Sequence, residues 1–254
     1  MSVIPRERVL VFDFDGTVSL GHGPVRSYAR VIAGNLARAD AVEFLDTVEY
    51  RLLAPRPSSG ADASTPIDGY DLVRVLAEDY GVPAGVRSSA YLASRVELAT
   101  AAAPVIAPAG LAGFLAESRP KAHLVLATNA PSIRIDEALA SLGLAGAFDA
   151  VHTSVGKPAG FGPLLDELLA LLPAGTDAAT GLVSIGDVWA NDLAPAHARG
   201  AGTALVGGPL PAGATPTLTA THLYELYPAL RAWLDSGAAI APGAGTHRSG
   251  GVRS

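Results

Sequence analysis

Apolar residues run unbroken from Val9 to Phe12 and stop at Asp13, with a second acid at Asp15 and a glycine at Gly16. A short continuous aliphatic run suits a strand of a parallel sheet that is covered on both faces. The two acids are therefore expected at that strand's carboxyl end, and Gly16 supplies the turn out of the sheet. The β-type pattern then lapses until Ala122. In between, apolar spacing predicts helices over 25–36, 41–53, 66–81 and 86–102. The second is read with Asp40 as its N-cap and a stripe of Val42, Leu45, Val48 and Leu52. The third opens near Pro66 and carries Tyr70, Val73, Leu76 and Ala77, after a break over 55–60.

From Ala122 onward, strand-like and helix-like segments alternate. Strands are expected over 122–127, 149–152, 182–186 and 202–206, with helices near 132–142, 161–172, 189–199 and 223–235. Such alternation argues for βαβ units joined by right-handed crossovers into one parallel sheet with the opening strand. The predicted fold class is α/β, a Rossmann-like parallel-sheet core with a helical insertion. The core takes residues 1–20 and 105–236, and the insertion 21–104. Residues 237–254, rich in Gly, Ala and Ser with Arg248 and Arg253, are read as a disordered tail.

Composition narrows the chemistry. At 254 residues the chain is long enough for a substantial core. Although 49% of it is hydrophobic, no segment has the unbroken apolar length of a membrane span. The acids at Asp13 and Asp15 cut short any secretory apolar region, so a soluble, cytosolic protein is expected. Without cysteine, disulfides, thiolate catalysis and Cys-based zinc sites are excluded. A net charge of −6, with no dense basic run, argues against nucleic acid as partner.

If ligands bind beyond the carboxyl ends of parallel strands, the residues after each predicted strand belong together. These are Asp13 and Asp15, then Thr128 and Asn129, then Lys157, and finally Asp187 with Asn191 and Asp192. Several acids in one crevice repel each other unless a cation joins them. Hard oxygen donors without histidine or thiol favour Mg²⁺, which also meets substrate phosphate. Lys157 and Thr128 complete a cradle for an anion. This set suits phosphoryl transfer, with Asp13 as a carboxylate nucleophile and Asp15 as general acid and base.

Asp13-Phe-Asp15-Gly16-Thr17, Thr128, Gly156-Lys157-Pro158 and Gly186-Asp187-Val-Trp-Ala-Asn191-Asp192 resemble, in order and context, the four motifs of the haloacid dehalogenase (HAD) superfamily. The resemblance covers roughly residues 8–20 and 105–235, and the insertion is placed like a C1-type cap. It implies a phosphoric monoester hydrolase in which Asp13 is nucleophile and metal ligand. It implies also that Asp15 is the acid/base with its backbone carbonyl on the metal, and that Asp187 is the third ligand to Mg²⁺. Thr128, the Asn129 backbone and Lys157 would hold the phosphate, with Thr17, Asn191 and Asp192 supporting them from around the site. The acid at Asp15 speaks against the dehalogenase branch.

Simpler roles stay open for several residues. Asp13 and Asp15 can end a strand in a solvated turn, Lys157 can be a surface lysine, and Thr128 or Asp192 can cap a helix. His22, Arg26, Arg51, Arg56 and Arg74 can touch the non-phosphate part of a substrate or be ordinary surface groups. His152 and Trp189 fall near the expected mouth, where Trp189 can simply pack. The expected function is a Mg²⁺-dependent phosphatase acting on a small phosphorylated metabolite through an aspartyl-phosphate. A sugar-phosphate phosphomutase and a non-catalytic phospholigand-binding protein are the alternatives.

Overall fold

Along β1 (Arg8–Phe12) side chains alternate between two apolar clusters. Val9 and Val11 join Phe161, Leu164, Leu165 and Leu168, whereas Leu10 and Phe12 join Leu111, Phe114, Leu115 and Leu230. Both faces of the strand are thus buried from Val9 onward, which is why Val9 to Phe12 are apolar at every position rather than at every second one. The computed structural model describes residues 6–54, 65–208 and 210–240.

After β1 come α1 (Gly23–Ala33), α2 (Arg38–Leu53), α3 (Gly69–Asp79) and α4 (Ala84–Arg95), followed by α5 (Leu111–Ser118). The remaining elements are β2 (Ala122–Ala127), α6 (Ile135–Ser141), β3 (Ala150–His152), α7 (Phe161–Leu169), α8 (Ala178–Gly181) and β4 (Leu182–Gly186). A π-helical turn (Trp189–Leu193) leads into α9 (Ala194–His197), then β5 (Gly202–Val206), β6 (Leu218–Ala220), a 3₁₀ turn (Leu223–Leu226) and α10 (Tyr227–Ser236). Among the described residues the six strands are all parallel, in the order β3-β2-β1-β4-β5-β6. The chain builds outward from β1 to β3, then returns to the other side of β1 with β4. That reversal puts a crevice between the carboxyl ends of β1 and β4.

α1 to α4 share a separate apolar cluster around Tyr28, Ile32, Phe44, Val48, Val73 and Leu76. The chain enters and leaves this block side by side, because Leu20 and Ile106 exchange backbone hydrogen bonds of 2.8 and 3.0 Å. Among the described residues, no helix is long and apolar enough to cross a membrane.

The strands at 122–127, 182–186 and 202–206 match their predicted limits, and several helices differ. α2 starts at Arg38, so Asp40 lies in its first turn rather than at its cap, where a carboxylate still complements the helix dipole. Its inward stripe contains Phe44 and Val48, while Val42 is 57% exposed. α3 starts after Asp68, whose carboxylate accepts from the Asp71 backbone at 2.7 Å. α4 ends at Arg95, well before 102, because the chain turns through Ala99 at φ +60° and buries Leu98 in the sheet's core. α5 and β6 were not predicted. β6 has three residues with Leu218 buried, too short for a periodic signal. Arg56 and residues 241–254 of the predicted tail lie outside the described residues.

Candidate active site

Each strand end contributes one part of the crevice. Asp13 follows β1, and its backbone N–H still extends the ladder by donating to Ile185 at 2.9 Å. The strand pairing therefore fixes the direction in which its side chain leaves. Gly16, at φ +87°, turns the chain immediately afterwards. A Cβ at Gly16 would overlap the Asp187 carboxylate, so the glycine also admits Asp187 to the crevice.

Lys157 reaches the centre from the loop after β3. Its ammonium donates to Asp13 Oδ1 at 2.5 Å, Asp192 Oδ1 at 2.6 Å and the Ala127 carbonyl at 2.9 Å. Only 2% of the side chain is exposed, so all three donor positions are satisfied inside the protein. Asn129 fixes the lysine's backbone from both ends of its amide, donating to the Lys157 carbonyl at 3.1 Å and accepting its N–H at 2.6 Å. Thr128 is buried, and its hydroxyl accepts from the Ala130 backbone at 3.0 Å. It does not cap α6, which begins at Ile135.

The π-helical turn places Asp192. Asp192 Oδ2 accepts the Val188 N–H at 3.0 Å while Oδ1 faces Lys157, and Ser184 donates to the Asp192 carbonyl at 2.6 Å. Inserting one residue into a helical turn re-aims a side chain without breaking the helix that follows. Gly186 belongs to the same device, since a Cβ there would collide with Asp192.

Asp13, Asp187 and Asp192 each offer a carboxylate oxygen within 4.8 Å of the others. Three acids beside one ammonium leave an excess of negative charge, which is the charge and donor set of a hard divalent cation. Asp192 uses both of its oxygens, on Lys157 and on the Val188 N–H. The Asp15 carboxylate points elsewhere. It receives Tyr70 and Arg95, both at 3.3 Å, so of the predicted trio Asp13, Asp15 and Asp187 it alone lies outside this cluster. Thr17 is buried, and its hydroxyl has no hydrogen-bond partner among the described residues.

The electrostatics follow from this crowding. Burial first, and then the charge of Asp192, push the Asp13 carboxyl from 3.8 up to about 8, against the opposing pull of Lys157. Lys157 is itself raised, because Asp13 and Asp192 together outweigh its own burial, the largest single influence. A folded-state carboxyl raised in this way retains a proton that the unfolded chain has released between pH 3.8 and about 8. Stability of the metal-free protein should thus fall as pH rises through that window and level off above it. Magnesium bound to the ionised carboxylates should flatten the slope. Urea midpoints at pH 5 and pH 8, in EDTA and in Mg²⁺, test this, and a level metal-free profile would contradict it.

A cavity of about 160 Å³ opens on Asp13, Asp15, Thr128, Lys157 and Asp187, and Asn191 borders it. Past Asp15 and Asp187 it adjoins a larger one of about 420 Å³, walled by Leu20, His22, Val25, Leu223 and Tyr224. Of the other candidate contacts, Arg26 is paired with Glu49, and Arg74 with Asp71 and Glu78. Arg51 is exposed, and Trp189 packs near the His197 ring at 5.5 Å. Asp68, Tyr70, Tyr91 and Arg95 were not expected at the site. Tyr70 and Arg95 carried no sequence signal beyond helical periodicity.

No protein-family model and no curated protein matches the chain. Solved structures do. A haloacid dehalogenase-like family hydrolase from Xanthomonas campestris is 21% identical, aligned over 91% of this chain and 94% of its own, with a TM-score of 0.53. The HAD-hydrolase YfnB of Bacillus subtilis, bound to magnesium, is 20% identical over 89% and 99%, with a TM-score of 0.56. A HAD phosphatase from Thermococcus onnurineus is 17% identical over 88% and 97%, with a TM-score of 0.53. At such identities the likeness is one of fold, and this chain shares the fold of the haloacid dehalogenase-like hydrolases along most of its length.

Proposed function

We propose that the protein is a Mg²⁺-dependent phosphatase that hydrolyses small phosphate monoesters through an aspartyl-phosphate on Asp13. The observation that carries this reading is the buried Lys157 ammonium held between Asp13 and Asp192, with Asp187 beside them, at the reversal point of the sheet. The likeness in fold to a HAD phosphatase and to a magnesium-bound HAD-hydrolase supports it. An uncompensated acidic cluster alone would repel a phosphate. With a dication on Asp13 and Asp187, together with the Asp15 carbonyl that the family motif implies, the same cluster attracts one. That metal would supply charge neutralisation for the phosphoryl oxygens.

In the first displacement an Asp13 oxygen bonds to phosphorus as the ester oxygen departs, and Asp15 gives that oxygen its proton. In the second, water attacks the aspartyl-phosphate, Asp15 takes the water's proton, and inorganic phosphate leaves. Lys157 holds Asp13 in place and meets the phosphate's charge, and the Thr128 hydroxyl and Asn129 backbone complete the cradle. The small cavity receives the phosphoryl group, and helices α1 to α4 act as a cap that limits what enters.

A panel of phosphorylated metabolites with purified protein tests the reading. Phosphate release should require Mg²⁺, cease in EDTA and return when Mg²⁺ is restored. Isomerised sugar phosphate in place of free phosphate would indicate a mutase. Tight binding of phosphate esters without any turnover would leave a binding protein.

A further inference from the structure

Arg95 is the largest fully buried side chain among the described residues, with 1% of its surface exposed. Arginine is always charged and is almost never buried without a partner. At the last turn of α4 its Nη1 lies 3.3 Å from each Asp15 carboxylate oxygen and donates to the Tyr70 hydroxyl at 2.8 Å. That hydroxyl donates in turn to Asp15 Oδ1 at 3.3 Å. The Nε and Nη2 groups are buried without any hydrogen-bond partner among the described residues. An apolar side chain would fill this space without stranding three N–H groups, so packing does not account for the residue.

Its surroundings give the reason. The Tyr70 ring stands nearly perpendicular to Tyr91 at 5.6 Å and lies 6.4 Å from Tyr28, while Tyr28 and Tyr91 are 5.8 Å apart. Rings from α1, α3 and α4 therefore fix the hydroxyl that touches Asp15. Tyr70 also borders each cavity at the strand ends, whereas Arg95 stands behind their walls. Arg95 thus acts on Asp15 without meeting a substrate.

We infer that Arg95 and Tyr70 are positioning residues for Asp15. They make the orientation of the acid/base carboxylate depend on how the helical block is seated on the strand ends. This rests on the phosphatase reading, in which Asp15 protonates the departing oxygen. Positioning of that kind matters for an alkyl ester, whose alcohol leaves only with a proton, and much less for 4-nitrophenyl phosphate, whose phenolate leaves without one.

The test compares kcat/KM for the two ester types, because this constant reports steps up to departure of the alcohol. Tyr70→Phe should lower the alkyl-to-aryl ratio of kcat/KM roughly tenfold and Arg95→Met roughly a hundredfold, with Arg95→Lys recovering part of the loss. Equal losses on both esters would mean a merely structural role and overturn the inference. Should Arg95→Met fail to fold, Tyr70→Phe decides, since it removes one hydroxyl and keeps the ring. A second readout needs no turnover. In urea unfolding, Arg95→Met and Asp15→Asn should be non-additive by about tenfold or more in the folding equilibrium constant, and additivity would overturn the contact. Wild-type protein inactive on every ester would overturn the phosphatase reading and the catalytic part of this inference together. An active wild type with an unchanged ester ratio would overturn this inference alone.

Discussion

Asp13→Asn is expected to reduce Mg²⁺-dependent phosphate release by roughly 10⁴-fold or more, which is the scale on which losing a nucleophile acts. The substitution keeps the shape of the side chain and an oxygen for the Lys157 ammonium now 2.5 Å away, so the crevice retains its geometry. The effect on stability should run the other way. Asp13 is held uncomfortably by burial and by Asp192, and a neutral amide escapes both. The metal-free variant should therefore unfold at higher urea than wild type at pH 8 and lose the wild type's decline between pH 5 and pH 8. Steady-state phosphate assays and urea titrations measure the two effects. A variant that keeps more than about a hundredth of wild-type turnover would remove Asp13 from the nucleophile's role.

Lys157→Met should damage both properties at once. Among the described residues the lysine is the single ammonium between two carboxylates that are 11% and 3% exposed, and above the Asp13 value of about 8 its removal takes away the counter-charge that lets Asp13 ionise beside Asp192. Breaking a buried pair from one side costs about 3–5 kcal/mol, a large part of the stability of a typical domain. Turnover should fall about 10³-fold, as when one donor to a developing anion is lost. Adding Asp192→Asn should restore much of the stability and little of the activity. The double variant then relieves the repulsion without replacing the group that meets phosphate. Denaturation with and without Mg²⁺ checks the first effect, and phosphate release the second. A Lys157→Met protein as stable as wild type in EDTA at pH 9, above the Asp13 value of about 8 in the wild type, would contradict this.

Much of the architecture could be read along the chain because the physics involved is local. A strand covered on both faces needs a mostly apolar run, and 122–127, 182–186 and 202–206 each supply one, interrupted only by His123, Ser184 and Thr203. Helix ends were read less well where two local signals compete. Asp40 and Asp68 both lie near a helix start. Asp68 captures a backbone N–H as a cap, whereas Asp40 falls inside the first turn after Ala37. β6 follows from neighbours in space. Its three residues pair with β5 across an edge that β5 leaves available.

The residues around the crevice divide in the same way. Asp13, Thr128, Lys157 and Asp187 were visible because each follows a strand, and strand ends converge in a parallel sheet by construction. Arg95 and Tyr70 were invisible because an arginine and a tyrosine on amphipathic helices read as a solvated group and a packing group. What places them against Asp15 is the early end of α4 and the docking of the helical block, which depend on residues far apart in the sequence. Asp192 reads along the chain both as a supporting group beside Asp187 and as a helix cap, and the π-helical turn aims it at Lys157.

The sequence by itself determined the α/β class, the parallel strands and the acids, lysine and threonine at their ends. Those features arise from side-chain periodicity and from backbone turns a few residues long. Only the tertiary structure decided which charges share a partner. It put one ammonium between Asp13 and Asp192, grouped Asp187 with them, and turned Asp15 toward Arg95 and Tyr70. Electrostatic energy depends on distance and burial, and both are set when the chain folds back on itself.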